Sequence, residues 1–409
     1  MATTDRMVLG RNRRVATAIE TVAGTYEPPV AAGSAFVRDC KVTEKGDKVE
    51  RRDRQGQSLT SRINRKIEVD VEIESYLLPQ GGVLPLDLHA PLVSWFGGAA
   101  SAGGRYVYSI DDSARKAFSL EMTYEEEDEN GIDLGGGDVK SALFACAAEG
   151  CVANEFELKF SGSDEGMLTI KAMARRAIVT GTSYVASTEA IGQTVISVND
   201  ARQFSVGSRV GLGVVDLERE ITAVDIVNNT ITIDSALTAE ITGGADTNAN
   251  RVYPVSVFDP DECAGEPTLV FDGSCSLFGS AIEISEVSVK GTRNMKRIAD
   301  KLGDRYASFF VPGFRQVTGS LTLYSTQANI RTFLQRREDR AGALLVTAVS
   351  SEGYDVRVSL PNIELDYDGA VEVPAGPDGG EAKLTIPFVA LESAYGAKDE
   401  IEISTGDAA

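Results

Sequence analysis

Residues 289–324 read VKGTRNMKRIADKLGDRYASFFVPGFRQVTGSLTLY, two strand-like segments separated by about 20 polar, basic residues. Connections between paired strands usually take two to five residues. Any fold that accepts this chain must therefore accommodate a long charged arm. It must do so twice, because residues 42–76, VTEKGDKVERRDRQGQSLTSRINRKIEVDVEIESY, repeat the arrangement roughly 250 residues earlier.

Around the arms the period is two. KIEVDVEIESY, KAFSLEMTY, NEFELKF, GMLTIKAM, QVTGSLTLY, DVRVSL and AKLTIPFVAL alternate apolar and polar residues between turn sequences, the pattern of strands with one buried face. The chain is expected to be mainly β. A helix is predicted over STQANIRTFLQRREDRAG, with Ser325 or Thr326 as N-cap and Gly342 as its end, and a second over LDLHAPLVSWFGG, closed by Gly97. Each half then runs strand, arm, strand, short helix, an edge-like strand and a closing pair of strands, which predicts a tandem duplication. The expected divisions are an N-terminal segment 1–32, a first copy 33–185, a small inserted β module of about five strands over 186–255, and a second copy 256–409.

Charge is distributed unevenly. The net charge is −21, yet residues 44–66 carry eight basic and four acidic residues and residues 290–315 seven and two. Two basic arms thus project from a strongly acidic body, which argues against a sequence-reading nucleic-acid binder. No apolar run reaches the ~18 residues of a membrane span, and MATTDRMVLGRNRR has no apolar core of a signal peptide.

Catalytic constellations do not assemble from the sequence. Five cysteines without a CxxC, and a single histidine, His89, in the apolar setting PLDLHAPLVSWF, predict buried thiols and a structural imidazole rather than zinc, disulfides or acid–base chemistry. EEEDENG (125–131) and DPDEC (259–263) lack calcium-loop spacing, and DLGGGDV (133–139) lacks the Lys-Ser/Thr of a phosphate loop. The GxS of FDGSCSLFGS has no strand-to-helix setting. No catalytic residue, metal or cofactor is expected. The arms carry spaced apolar residues instead, Val49, Leu59 and Ile63 in the first and Met295, Ile298, Leu302, Tyr306, Phe309 and Phe310 in the second. Aromatic anchors on a basic arm, facing an acidic body, predict head-to-tail self-assembly.

On GRNRRVATAIETVAGTYEPPVAAGSAFVRDCKV, the arm followed by VDVEIESYL, PLVSWFGGAASAGGRYVY and FVPGFRQVTGSLTLYSTQANIRTFL, the sequence resembles the major tail tube proteins of long-tailed, siphovirus-like bacteriophages. The resemblance covers most of residues 10–180 and 256–402 and leaves out the central stretch. It implies tandem antiparallel β-sandwich or half-barrel tube domains, each with a short helix and a long arm, joined edge to edge into rings that stack as a hollow tube for genome passage. With a duplicated domain the ring is a trimer imitating a sixfold hexamer. It further implies ring-to-ring contacts by Arg51, Arg52, Arg54, Arg62, Arg65, Arg293, Lys296, Arg297, Lys301, Arg305, Tyr306, Phe309 and Phe310. The lumen would be lined by Glu68, Asp70, Glu72 and Glu74, with Thr318, Ser320 and Thr322 at the equivalent places. Implied partners are the chain itself, tape measure, tail terminator and tip proteins, and DNA in transit without sequence-specific binding. The implied location is the virion tail, assembled in the host cytoplasm without membrane insertion. The alternative is another phage structural protein, a capsid decoration or baseplate component.

Overall fold

In EVDVEIESY the alternation becomes a buried and an open face: Val69, Val71 and Ile73 are at most 1% exposed, while Glu68, Asp70, Glu72 and Glu74 keep contact with solvent. The computed structural model describes residues 13–52, 59–79, 83–125, 140–162, 164–213, 216–244, 249–256, 268–298, 306–324, 341–366 and 383–408. The predicted helix over 325–342 and the motifs EEEDENG, DLGGGDV and DPDEC lie almost wholly outside those residues.

The first half comprises β1 (Arg13–Ile19), β2 (Ser34–Ala35), β3 (Val37–Arg52), β4 (Leu59–Tyr76), α1 (His89–Phe96), β5 (Gly97–Ala102), β6 (Arg105–Ile110), β7 (Phe118–Glu125), β8 (Lys140–Ser161), β9 (Met167–Ala174) and β10 (Arg176–Thr180). A central group follows, β11 (Ser183–Tyr184), β12 (Val195–Ser197), β13 (Arg209–Leu212), β14 (Asp216–Asp225), β15 (Thr230–Ile233) and β16 (Arg251–Ser256). The remainder is β17 (Thr268–Leu277), β18 (Ser280–Ala281), β19 (Ile284–Thr292), β20 (Lys296–Ile298), β21 (Phe309–Val311), β22 (Gln316–Tyr324), β23 (Ala341–Ser350), β24 (Tyr354–Leu365), β25 (Lys383–Ala390) and β26 (Glu402–Asp407). The protein is mainly β and antiparallel, with α1 the one α-helix among the described residues. That helix ends where expected, at Gly97, whose φ of 89° suits glycine.

One sheet runs in the order β3–β4–β9–β8–β19–β22–β25. Its buried face, with Ile73, Ile170, Phe156, Val289, Leu321 and Phe388, belongs to a single hydrophobic cluster spanning both halves. A buried Val, Leu, Ile or Phe is worth about 1.5–3 kcal/mol. Joining the halves through one shared core therefore predicts a single cooperative unfolding transition for them, checked by calorimetry.

The long strands β8 and β24 turn the corner into the second layer. β8 pairs with β7 and β10 before the bulge near Gly150 and with β9 and β19 after it, the usual way one strand serves two sheets. β24 does the same with β23 and β26, then β25. KAFSLEMTY and GALLVTAVSSEG, expected at sheet edges, are instead paired on both sides as β7 and β23. Their alternation marks one buried face and carries no information about lateral neighbours.

Seven pairings recur in the same chain order in the two halves: β1–β2, β1–β7, β3–β4, β4–β9, β7–β8, β8–β9 and β8–β10 against β17–β18, β17–β23, β19–β22, β22–β25, β23–β24, β24–β25 and β24–β26. Two register shifts also fall at matching places. β3–β4 shifts at Arg38 and β19–β22 at Ser285, while β7–β8 and β23–β24 both skip two residues, between Ala148 and Cys151 and between Leu360 and Ile363. The central strands keep their own core, Val185, Ile196, Val210, Leu212, Ile221, Ile231 and Val252 among others, separate from the shared one.

Candidate assembly surfaces

The arms differ from each other and from the loops expected. The first is the far end of a hairpin, because the β3–β4 ladder continues through Lys48↔Asn64, Glu50↔Arg62 and Arg52↔Leu59. Arg51, Arg52, Arg62 and Arg65 sit on its strands, and Arg54 lies outside the described residues. Its residues carry no regular apolar period, so the sequence reads as a polar connection. The second arm is a small hairpin, β20–β21, with Ile298 opposite Phe309. Lys301 and Arg305 lie outside the described residues.

The base of the second arm is built onto the first half. Arg293 N donates to Asn154 O at 2.8 Å and Met295 N to Asn154 Oδ1 at 2.7 Å. Arg293, 2% exposed, spends its guanidinium inside the chain on Asp112 and the Trp95 carbonyl, with its Cζ 4.8 Å from the Trp95 ring centroid. Burial, only partly offset by Asp112, pulls its pKa down to about 10, so it remains a cation near neutral pH. Arg315 joins the cluster, 3.2 Å from Asp112 and 2.6 Å from Glu400. Arg297 reaches the first arm's root, bonding Val69 O at 2.6 Å, Asp70, and Glu68 at 3.2 Å. Both arginines, expected at contacts between rings, are thus intramolecular ties. Their partners Asp112 and Asp70 lie 181 and 227 residues away, beyond any local pattern. Lys296 stays exposed and Tyr306 half-buried, while Phe309 is 57% and Phe314 90% exposed, leaving an apolar patch on a cationic hairpin.

The open face of the long sheet carries the expected Glu68, Asp70, Glu72 and Glu74, and the β22 register places Thr322, Ser320 and Thr318 in the positions of Glu74, Glu72 and Asp70. The carboxylates are not bare. Lys45 lies 2.9 Å from Asp70, Lys171 3.7 Å from Glu72, Arg38 3.4 Å from Glu74, Lys159 3.2 Å from Glu286 and Lys290 3.0 Å from Glu155. Sequence reasoning missed this lattice because it weighed one strand at a time. The signal was the lysines of NEFELKF and GMLTIKAM, each on the polar phase of a strand.

Burial works against the charge of Asp70 and of Asp112, but hydrogen bonds from Arg297 and Lys45, and from Arg293, outweigh it and hold both pKa values below the ordinary 3.8. Carboxyls depressed in the folded state stabilise it above the unfolded value and lose that contribution as pH falls through the folded one. Stability should hold from pH 7 to about 4 and drop below it, and Asp112→Asn should flatten part of that drop in urea titrations at pH 7, 4 and 3.

His89 opens α1 with Nδ1 3.3 Å from the Tyr108 hydroxyl and its ring against Tyr106, and burial lowers its pKa. Cys40, Cys146, Cys151 and Cys275 are buried free thiols, burial pushing Cys40 and Cys275 up to about 12 and Cys146 to about 11. Cys263 lies outside the described residues. No group of His, Cys, Asp and Glu among the described residues could hold a metal ion, and no described helix is long and apolar enough to cross a membrane.

A comparison with curated proteins finds no match. A family model described as phage tail tube protein matches residues 10–257, more than half of the chain. The match runs through the central strands, which the sequence resemblance left out, and stops where the second half begins. A β-rich chain with two unlike arms and an ion-paired sheet face, matched over that length, belongs to the phage tail tube protein family, a structural component of the virion tail.

Proposed function

We propose that the chain polymerises into stacked rings of three, each chain supplying two tube domains, so that the ring imitates sixfold symmetry and its lumen passes the genome of a long-tailed phage. The single observation that carries this reading is the recurrence of seven strand pairings in the same chain order in both halves, two of them with register shifts at matching places. Register shifts at matching places are hard to reach by chance, since strand alternation alone does not fix where a bulge falls.

In this reading the domains are 33–185 and 256–409, preceded by the segment 1–32, and the 186–255 module faces outward as decoration. The open sheet face lines the lumen. Cross-strand ion pairs leave few uncompensated charges there, and DNA phosphates meet neither a sticky cationic surface nor a bare acidic one. The arms make the ring-to-ring contacts through Arg51, Arg52, Arg54, Arg62 and Arg65 and through Lys296, Lys301, Arg305, Tyr306, Phe309 and Phe310. Tape measure, terminator and tip proteins would cap or fill the tube, which assembles in the host cytoplasm. The chemistry required is assembly alone, with no catalytic step.

Electron microscopy of the purified protein with symmetry analysis tests the reading. Hollow tubes with three chains per ring are expected. Six chains per ring would refute the two-domain count, and persistent monomers would favour a capsid decoration or baseplate component.

A further inference from the structure

The arginines that tie the two halves together each hold an acid: Arg293 holds Asp112, Arg297 Asp70, Arg315 Glu400 and Arg105 Asp355. Arg115, half-buried just ahead of β7, holds none. Among the described residues its side chain reaches only the Met295 thioether, 4.0 Å from Nη1, and its Nε is buried without a hydrogen-bond partner. Burial, offset only in part by Asp112, lowers its pKa. Asp112 itself is already engaged by Arg293, Arg315 and Lys398.

Arg115 lines a cavity of about 280 Å³ between the first half and the base of the second arm. Lys116 and Arg175 line it as well, and no Asp or Glu among the described residues does. Ser308 adds an Oγ that is buried without a partner. Ser94, fully buried in the same lining, accepts from the Ala153 N–H at 3.1 Å, which leaves its own proton to be donated. The rest of the lining is largely apolar, with Met295, Phe309 and Phe310 from the arm and Ala117 and Val152 from the first half.

The buried acids behind this lining are engaged elsewhere. Glu20 accepts from Ser119 Oγ at 2.9 Å and from the N–H groups of Gly24 and Gly150, both at 2.6 Å, and Glu149 pairs with Arg176 at 3.1 Å. A half-buried cation is costly until a counter-charge reaches it. An apolar cavity with a few convergent polar groups is the usual form of a small-ligand site. A guanidinium presents paired donors that match the two oxygens of a carboxylate, and the Met and Phe side chains give an apolar body somewhere to lie.

We propose that this cavity is a carboxylate site: a carboxylate carried on an aromatic or aliphatic body binds Arg115 and Ser308 through its oxygens and packs its body against Met295, Phe309 and Phe310. Two sources bring that chemistry, a free small organic acid and a Glu or Asp side chain presented by another copy of this chain. In either case the occupant touches both the first half and the β20–β21 hairpin and fastens one to the other. The site lies within a single chain and does not depend on the tube reading.

The test titrates para-fluorobenzoate into the full chain dispersed as monomer, followed by fluorine NMR of the ligand. Saturable binding at one site per chain is expected, with para-fluorobenzyl alcohol, which lacks the charge, and inorganic phosphate, which lacks the apolar body, each weaker by roughly tenfold or more. Arg115→Met should weaken fluorobenzoate by a similar factor, Ser308→Ala by less, and Arg115→Lys should fall between parent and Arg115→Met. Because Arg115 has no acid to lose, the ligand-free Arg115→Met variant should melt no lower than the parent; a lower melting temperature would mark the residue as structural and count against the site. No saturable binding, equal binding of the alcohol, or undiminished binding by Arg115→Met would overturn the proposal. Repeating the titration on assembled tubes separates the sources: binding lost on assembly assigns the cavity to an acid of another copy, and binding retained assigns it to a free ligand. The monomer titration decides the site even where no tubes form.

Discussion

Replacing Arg293 by alanine is expected to destabilise the chain by about 3–5 kcal/mol, the usual cost of removing one partner from a buried ion pair. Three losses coincide at that position. Asp112 loses its most buried cation, the Trp95 carbonyl loses its donor, and the indole loses the guanidinium stacked on it. Asp112 retains Arg315 at 3.2 Å and Lys398 at 3.6 Å, which places the effect toward the lower end of the range. The neighbouring packing offers no easy repair. A Cβ at Gly291 would already fall 2.3 Å from the Phe156 ring and 2.6 Å from that of Trp95, so this corner admits little rearrangement. Arg293→Lys keeps the charge but not the two-pronged geometry and should recover only part of the loss. Urea denaturation checks both variants; a shift below about 1 kcal/mol for the alanine, the scale of a surface pair, would mean that the cluster does not hold the halves together.

The second large effect is on assembly rather than folding. Joining Gly46 to Lys66 by a two-residue turn removes the outer part of the first hairpin and leaves untouched the core positions of β4, which begin at Val69. The shortened chain should fold with a melting curve close to that of the parent and form rings, while tubes all but disappear. Losing ~1.4 kcal/mol at each ring-to-ring contact already lowers its association constant tenfold, and a ring makes several such contacts at once. Charge reversal at Arg51, Arg52 and Arg54 should act in the same direction, most strongly at low salt where exposed charges are least screened. Tubes of normal length from the shortened chain would show that the first arm is not the stacking contact.

The parts of this structure that the sequence makes legible are those governed by period. Val69, Val71 and Ile73, or Leu384, Ile386 and Phe388, announce a buried face through alternation, and Gly97 announces the end of α1. Chain order further signals the strand, arm, strand sequence that recurs in the two halves. What stays hidden depends on neighbours brought from far away. VTEKGDKVERR is a strand because its ladder partner returns beside it, and its residues lack the apolar alternation by which strands are recognised. Arg293 and Arg297 resemble the other cations of the arm, and nothing nearby in sequence distinguishes an arginine destined for burial against Asp112 from one left in water. The sheet face misleads for a related reason: EVDVEIE read alone is acidic, and Lys45 and Lys171, which neutralise it, lie on the two flanking strands.

The unlikeness of the two arms bears on how rings turn relative to one another. In the proposed ring of three chains the long ribbon of β3–β4 and the short hairpin of β20–β21 would alternate around the rim, six positions of two kinds. A neighbouring ring rotated by a sixth of a turn would offer ribbon where hairpin belongs. Only rotations differing by a third of a turn would present the same face again, so the helical twist of such a tube would be selected from half as many settings as a sixfold outline would suggest.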